Sequence, residues 1–169
     1  MKNQKLVLLS CCAPCSAAAI KRLKSGGADF IVLFYNPNIY PRAEYDKRLA
    51  EQIRLCEKLD AKYAVGNWDH DRWLSCVRGL ETEPERGKRC AECFRLRLKF
   101  GADWARKNGY DKIASVFGAS PHKDQNQVDE AARGIDIYVP TKFDFAPEPG
   151  VYRQKYCGCE FSEKHYDKT

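Results

Sequence analysis

Long apolar runs are absent from this sequence, and their absence limits the classes of protein that it can encode. No stretch approaches the roughly twenty apolar residues that a membrane-spanning helix requires, so no membrane partner is expected. The apolar stretch Leu6–Leu9 is shorter than the roughly 7–15 apolar residues of a secretion signal. Neither a Walker loop nor a Gly-x-Gly-x-x-Gly motif is present, so an intrinsic nucleotide-binding site is not supported. We therefore expect a cytoplasmic protein.

Histidine is scarce as well, with three residues in the chain. His70, His122 and His165 form no recognisable pair of metal ligands, so an imidazole-based metal site is not indicated. His70 and His165 are expected at the surface. His122 is of more interest because of its neighbours in the sequence.

The composition indicates a folded protein of ordinary size. The chain has 169 residues, of which 44% are hydrophobic and 31% are charged, which excludes an intrinsically disordered chain. We expect one domain that spans residues 1–169. With 29 basic and 23 acidic residues, the formal net charge is +6; this suits a polyanionic partner but is also common among soluble enzymes.

The order of apolar and polar segments predicts an α/β protein with a mostly parallel sheet. A strand is predicted at Lys5–Ser10, a helix capped by Ser16 and ended by Gly26-Gly27, and a second strand at Phe30–Tyr35. A strand, a helix and a strand within about thirty residues form a βαβ unit. The later predicted elements are the helix Arg42–Leu59, the strand Ala61–Val65, the helices Asp69–Val77 and Ala91–Lys107, the strand Lys112–Phe117, the helix Asp124–Arg133 and the strand Ile135–Val139. An irregular tail follows from Thr141.

Nine cysteines are the most informative feature of the chain. Seven of them fall into three groups, namely Cys11, Cys12 and Cys15; Cys90 and Cys93; and Cys157 and Cys159. In a reducing compartment such grouping indicates metal or redox chemistry rather than disulfides. Seven thiols exceed by three the four ligands of one zinc ion or of one four-iron cluster. The surplus indicates an iron–sulfur cluster together with either a second metal or a redox dithiol.

Other interpretations of the cysteines remain open at this stage. Four thiolates are enough for a structural zinc ion that ties loops together. Cys90 and Cys93 can also form a thioredoxin-like dithiol. Cys56 and Cys76 stand apart in predicted helices, and both are expected to be buried.

Five blocks of residues resemble one known family and occur in the same order. The blocks are Cys11-Cys12-Ala13-Pro14-Cys15, Phe34-Tyr35-Asn36-Pro37-Asn38-Ile39 with Glu44-Tyr45, Cys90-Ala91-Glu92-Cys93-Phe94-Arg95-Leu96-Arg97-Leu98, Ser120-Pro121-His122-Lys123-Asp124, and Tyr152-Arg153-Gln154-Lys155-Tyr156-Cys157-Gly158-Cys159-Glu160-Phe161-Ser162. The chain is similar in these blocks to the non-cobalamin epoxyqueuosine reductases, the QueH family. Two positions differ from the family pattern, since Leu9 stands where a histidine is common and Cys15 where some relatives have aspartate.

The resemblance implies a HUP-type (Rossmann-like) α/β domain with a cysteine-bearing C-terminal tail. It also implies an oxidoreductase that completes queuosine synthesis by reducing the epoxide on the wobble nucleoside of tRNA to an alkene. A [4Fe–4S] cluster, held by the grouped cysteines, is implied with it. From the surplus of thiols we add one further iron as an expected cofactor. The electron donor is not identified.

Roles for other residues follow from the matching blocks. Tyr152, Tyr156, Lys123 and Asp124 are candidate catalytic proton donors. Arg153 and Lys155 are the preferred RNA-binding residues because they share a block with the last two cysteines. Further basic and aromatic side chains near the cysteines can contact phosphates or stack on a base: Lys88, Arg89, Arg95, Arg97, Lys99, Phe34, Tyr35 and Tyr40. The alternative function is a zinc-stabilised RNA-binding module without catalytic activity.

Overall fold

A four-stranded parallel sheet lies at the centre of the computed structural model, which describes residues 3–162. Its strands are β1 (Lys5–Ser10), β2 (Asp29–Phe34), β3 (Tyr63–Val65) and β4 (Lys112–Ser115), in the spatial order β3-β2-β1-β4. In the register, Leu9 lies opposite Leu33 of β2 and Ser115 of β4. Val7, Leu8 and Leu9 are almost fully buried, as expected for a central strand that is covered on both faces. The predicted α/β class is confirmed.

Within residues 3–162, the helices that flank the sheet are α1 (Ala13–Ser25), α2 (Arg42–Lys58), α3 (His70–Cys76), α4 (Lys88–Lys107) and α5 (Gln125–Ala131). Helices α1 and α2 pack against each other and against β1 and β2, while α4 packs on β1 and β4. Right-handed crossovers place α1 and α2 on one face and α4 on the other. The chain changes direction between β1 and β4, and the carboxyl ends of such strands border the crevice where α/β folds bind ligands.

The close approach of α4 to the sheet depends on Gly101. A Cβ atom at this position would lie 2.6 Å from Cδ1 of Leu9, so only glycine allows the helix to rest on β1. Leu9 therefore fills the core beneath α4. At the position where the family resemblance implies a histidine, this chain has a leucine that packs in the core.

Several element boundaries differ from the sequence predictions by one or two residues, and three differences matter more for the site or the fold. Helix α1 begins at Ala13, with Cys12 as its N-cap, because Pro14 suits the first turn of a helix; Ser16 lies inside the helix instead of capping it. Helix α4 begins at Lys88, so Cys90 is helical. The predicted strand Ile135–Val139 is wrong in extent, since only an isolated bridge between Ile113 and Tyr138 forms.

The C-terminal tail has no helix or strand between residues 140 and 158. One antiparallel bridge, between Ile39 and Cys159, joins its end to the loop after β2. Side chains from α2 and the loops therefore determine where the last two cysteines lie. None of the helices in residues 3–162 is both long and apolar enough to cross a membrane.

Candidate metal centre

The first cysteine group lies where β1 ends and α1 begins. We call Cys11, Cys12 and Cys15 the thiol triad; their three sulfurs all lie within 4.8 Å of one another, and all three residues are buried. The Sγ atoms of Cys11 and Cys12 are 3.7 Å apart, and those of Cys12 and Cys15 are 3.0 Å apart. The early start of α1 causes this convergence, because residues three apart share one helix face.

Charge is shared unequally within the thiol triad. Hydrogen bonds from the Cys12 and Cys15 thiols lower the pKa of Cys11, and the positive charges of Lys123 and Arg97 act in the same direction. Burial, followed by the hydrogen bond to Cys11, raises the pKa of Cys12 to about 12. The triad therefore favours one thiolate with two protonated neighbours, and a metal that bound all three sulfurs would release protons.

The remaining grouped cysteines line a second cavity, less closely grouped than the triad. We call Cys90 and Cys93, from the first turns of α4, and Cys157 and Cys159, from the tail, the thiol tetrad; all four line one cavity. The backbone N–H of Cys159 donates to the Cys157 sulfur over 3.4 Å. The hydrogen bond from the Cys159 thiol lowers the pKa of Cys157, whereas burial raises that of Cys90 to about 11.

Lys123 connects the two thiol groups electrostatically. The residue follows β4 and lines the cavity of the thiol tetrad. Burial alone would lower the pKa of its ammonium group, but attraction from the sulfurs of Cys11, Cys15 and Cys157 outweighs burial and raises it. A protonated lysine therefore lies within electrostatic reach of both the triad and the tetrad.

Several N–H groups around the tetrad cavity have no hydrogen-bond acceptor within the described residues, and they indicate what kind of ligand the site suits. Trp73, Arg89 and Arg97 line this cavity. The nitrogens Nε1 of Trp73, Nε and Nη2 of Arg89, and Nε of Arg97 are buried and find no acceptor among residues 3–162. Such buried donors are costly unless an acceptor is present. No three of the tetrad sulfurs lie within 4.8 Å of one another, so these four thiols and the surrounding donors suit an anionic, thiolate-ligated cluster, whose sulfurs would accept these hydrogen bonds, better than a single ion.

The candidate proton donors lie at different distances from the thiols. Of the four, only Lys123 lines the tetrad cavity. The Tyr152 hydroxyl donates to Glu44 over 3.2 Å, and the Tyr156 hydroxyl donates to the Tyr40 carbonyl over 3.2 Å. Asp124 caps α5 by accepting from the backbone N–H of Asn126. The catalytic roles of these four residues stay predictions.

The candidate RNA-binding residues separate into exposed and buried sets. Arg153 and Lys155 are exposed and line an open cavity that also contains Cys15. Arg89 and Arg97 are each only 1% exposed, so the suggestion that they contact phosphates at the surface is wrong. Arg89 donates to the carbonyls of residues 80, 81 and 83, and Arg97 donates to Asn36.

The aromatic candidates are also mostly part of the core. Phe34 and Tyr35 are buried, and Tyr35 stacks on Phe100 with ring centroids 3.6 Å apart. Tyr40 is the exposed one of the three, with 37% of its surface accessible. Its ring stacks on His70. Phe34 and Tyr35 are not placed to stack on a base, because both rings are buried in the core.

His70 corrects a prediction from the sequence. It is buried rather than at the surface, and its Nδ1 lies 2.7 Å from the Pro37 carbonyl while its Nε2 lies 3.2 Å from Glu160. It thus joins the loop after β2 to the tail. His165 lies outside the described residues. Cys56 is buried as predicted, whereas Cys76 is exposed, because it ends the short helix α3.

Arg48 of α2 is a residue that sequence reasoning missed. Its guanidinium is buried, donates to Glu44 over 2.7 Å, and donates to the carbonyls of Cys157 and Tyr156 over 2.9 and 3.2 Å. It also lies 5.0 Å from the centre of the Tyr156 ring. A Glu–Arg pair four residues apart on a helix normally indicates an exposed ion pair, so the sequence carries no signal for this anchor.

Related sequences match almost the whole chain. A family model described as "Epoxyqueuosine reductase QueH" matches residues 6–165. The epoxyqueuosine reductase QueH of Histophilus somni is 36% identical, with 98% of this chain and 75% of that protein covered. The protein of the same name from Thermotoga maritima is 30% identical, with 92% of this chain and 91% of that protein covered.

Solved structures with low sequence identity share the fold. A predicted subunit of tRNA methyltransferase from Methanocaldococcus jannaschii superimposes with a TM-score of 0.58 at 15% identity, over 85% of this chain and 70% of that one. The U34-tRNA thiolase NcsA from Methanococcus maripaludis, solved with its [4Fe–4S] cluster, gives a TM-score of 0.52 at 14% identity, over 99% and 65%. These likenesses confirm the HUP-type, Rossmann-like fold.

The name shared by the relatives is that of an oxidoreductase, which confirms the predicted enzyme class. The residues that the family model matches, 6–165, include all seven grouped cysteines. The chain belongs to the epoxyqueuosine reductase QueH family.

Proposed function

We propose that this protein reduces epoxyqueuosine to queuosine at the wobble position of tRNA in the cytoplasm. The reaction removes the epoxide oxygen as water and leaves an alkene, so it consumes two electrons and two protons. The observation that carries the proposal is the position of Lys123, which lines the cavity of the thiol tetrad and lies within electrostatic reach of the thiol triad, in a chain whose relatives are named for this reaction.

We infer that the thiol triad and the thiol tetrad together hold a [4Fe–4S] cluster and one additional iron. Seven thiols are three more than a single cluster or a single tetrahedral ion uses. When bound, these centres supply one-electron steps and Lewis acidity. The unpartnered N–H groups of Trp73, Arg89 and Arg97 support an anionic occupant for the tetrad.

The chain's own residues provide charge, a proton and exclusion of water. Arg97 lies 3.9 Å from the Cys93 sulfur, and Lys123 lies near both thiol groups, so two cations offset the negative charge of thiolates. Lys123 is the proton donor that we favour, because it alone of the candidates lines the tetrad cavity. Burial of the triad keeps bulk water from the thiols.

A second candidate function is a zinc-stabilised RNA-binding module. The close spacing within the thiol triad favours it, since three sulfurs within 4.8 Å of one another suit a single tetrahedral ion with ligands at about 2.3 Å. In this interpretation the exposed Arg153 and Lys155 bind RNA and no reduction occurs.

One anaerobic preparation separates the two functions. The protein is purified without oxygen, its metals are counted, and it is incubated with epoxyqueuosine-containing tRNA and a chemical reductant such as dithionite, because the physiological electron donor is not identified. We expect iron and acid-labile sulfide together with conversion to queuosine in nucleoside mass analysis. About five irons per chain support the additional iron, about four contradict it, and tightly bound zinc without conversion supports the second candidate.

A further inference from the structure

An open cavity lies beside the thiol triad, between the start of α1, the segment after β4 and the tail. Its volume is about 420 Å³, and its walls include Cys15, His122, Phe145, Arg153, Gln154 and Lys155. Small-molecule sites in proteins have volumes of roughly 300–1,000 Å³. The cavity is therefore large enough for a modified nucleobase, and we call it the base cavity.

Gln154 lines the base cavity and carries an acceptor that has no partner in the part of the chain that the structure describes. Its Oε1 atom is buried and has no hydrogen-bond donor among residues 3–162. A buried acceptor of this kind is unfavourable until a donor reaches it. A ligand with N–H groups on one edge would supply that donor once the Gln154 amide turns toward the cavity, and the Watson–Crick edge of a guanine-type base carries an N–H and an amino group.

Flat groups form part of the wall around Gln154. The guanidinium carbon of Arg153 lies 5.0 Å from the centre of the Phe145 ring. Aromatic rings and guanidinium planes are the groups on which proteins stack unpaired RNA bases. Lys155 is exposed at the same cavity, where its charge suits a flanking phosphate.

The base cavity adjoins both thiol groups. Cys15, a member of the thiol triad, forms part of its wall. His122 lines this cavity and also the cavity of the thiol tetrad. A base bound in this cavity therefore lies beside Cys15, and His122 lies between the base and the cavity of the thiol tetrad.

We propose that the base cavity binds the extruded wobble base of tRNA, and that Gln154 selects a guanine-type edge by accepting hydrogen bonds from it. Phe145 and Arg153 provide the stacking surface, and Lys155 contacts the backbone. The inference rests on the proposed function, since that function supplies a modified guanosine as the substrate. It adds Gln154 as the specificity-determining residue and Phe145 as the stacking residue.

Binding of short RNAs tests the base cavity without requiring reduction. The probes are fluorescent anticodon stem–loops with guanosine or inosine at the wobble position, titrated into the anaerobically purified, iron-loaded protein; inosine lacks the amino group of guanosine. We expect the parent protein to bind the guanosine probe about fivefold more tightly, and Gln154→Leu to remove this preference. Gln4→Leu is the matched control, because Gln4 is exposed before β1, at the opposite end of the strand from the cysteines.

A second variant separates stacking from edge recognition. Phe145→Ala is expected to weaken both probes about tenfold and to leave the guanosine preference intact, because stacking is tolerant of base identity. Phe145→Trp is expected to restore affinity. Equal affinities and equal preference in Gln154→Leu and Gln4→Leu would overturn the assignment of Gln154, and unchanged affinity in Phe145→Ala would overturn the stacking surface.

The same variants distinguish failure of the cavity from failure of the proposed function. If the parent protein converts epoxyqueuosine-containing tRNA and Gln154→Leu has the same KM, the base cavity is wrong while the function stands. If no conversion occurs but Gln154→Leu loses the guanosine preference, the cavity is supported and the proposed function is wrong.

Discussion

Replacing the buried anchor Arg48 with methionine should loosen the tail that carries Cys157 and Cys159. The change keeps much of the side-chain volume but removes three charged hydrogen bonds, to Glu44 and to the carbonyls of Tyr156 and Cys157. Each group left without its partner costs about 1–3 kcal/mol, and breaking a buried ion pair costs about 3–5 kcal/mol. Because Glu44 retains a hydrogen bond from Tyr152, we expect a loss of about 3 kcal/mol.

Urea unfolding of the anaerobically purified protein, together with its iron content, measures this loss. Arg48→Met should lower the midpoint and reduce the iron bound per chain, and Arg48→Lys should show a smaller effect because its ammonium keeps the charge. Arg54→Met is the matched control on the same helix; its side chain is 69% exposed in an ion pair with Glu51, and such pairs contribute less than about 1 kcal/mol. An Arg48→Met protein with the parent's midpoint and full iron content would refute the anchor.

Two further predictions concern the tail. Gly158→Ala should destabilise the protein by about 2 kcal/mol or more and lower its metal content. The φ of Gly158 is +102°, and a Cβ there would lie 2.6 Å from a guanidinium nitrogen of Arg48. Gly27→Ala is the control, since its φ is +70° with nothing within 4 Å, and only about 1 kcal/mol is expected. Replacing Arg153 and Lys155 together with alanine should weaken tRNA binding and reduce the slope of log affinity against log salt by roughly 0.7, the share of the one phosphate contact assigned to Lys155; equal slopes would contradict that contact.

Local patterns in the sequence predict most of the sheet and helices. The apolar run that ends at Ser10 and the alternation of strands and helices are enough to predict the parallel sheet. The errors occur where tertiary contacts decide the outcome. Ser16 has the chemistry of an N-cap, but Pro14 allows α1 to begin earlier, and the hydroxyl of Ser16 instead contacts the Gln52 amide.

The site could be predicted less completely than the fold. Cysteine spacing identifies the groups but does not show that Cys90 and Cys93 lie with the tail cysteines, because that pairing depends on how residues 140–158 cross the molecule. Buried arginines are the clearest omission. Arg97 is one of several basic residues on α4 and has no local mark of burial, yet its guanidinium lies over the Phe117 ring at 3.9 Å.

Residues 140–158 contain no helix or strand, so contacts with other parts of the molecule hold the cysteines at the end of this segment. The sheet, the thiol triad and Cys90 and Cys93 all belong to segments that leave the ribosome before the tail does. In the folded protein, Arg48 of α2 holds the tail beside them by donating to the carbonyls of Tyr156 and Cys157. The thiol tetrad therefore depends on the docking of an irregular segment as well as on α4.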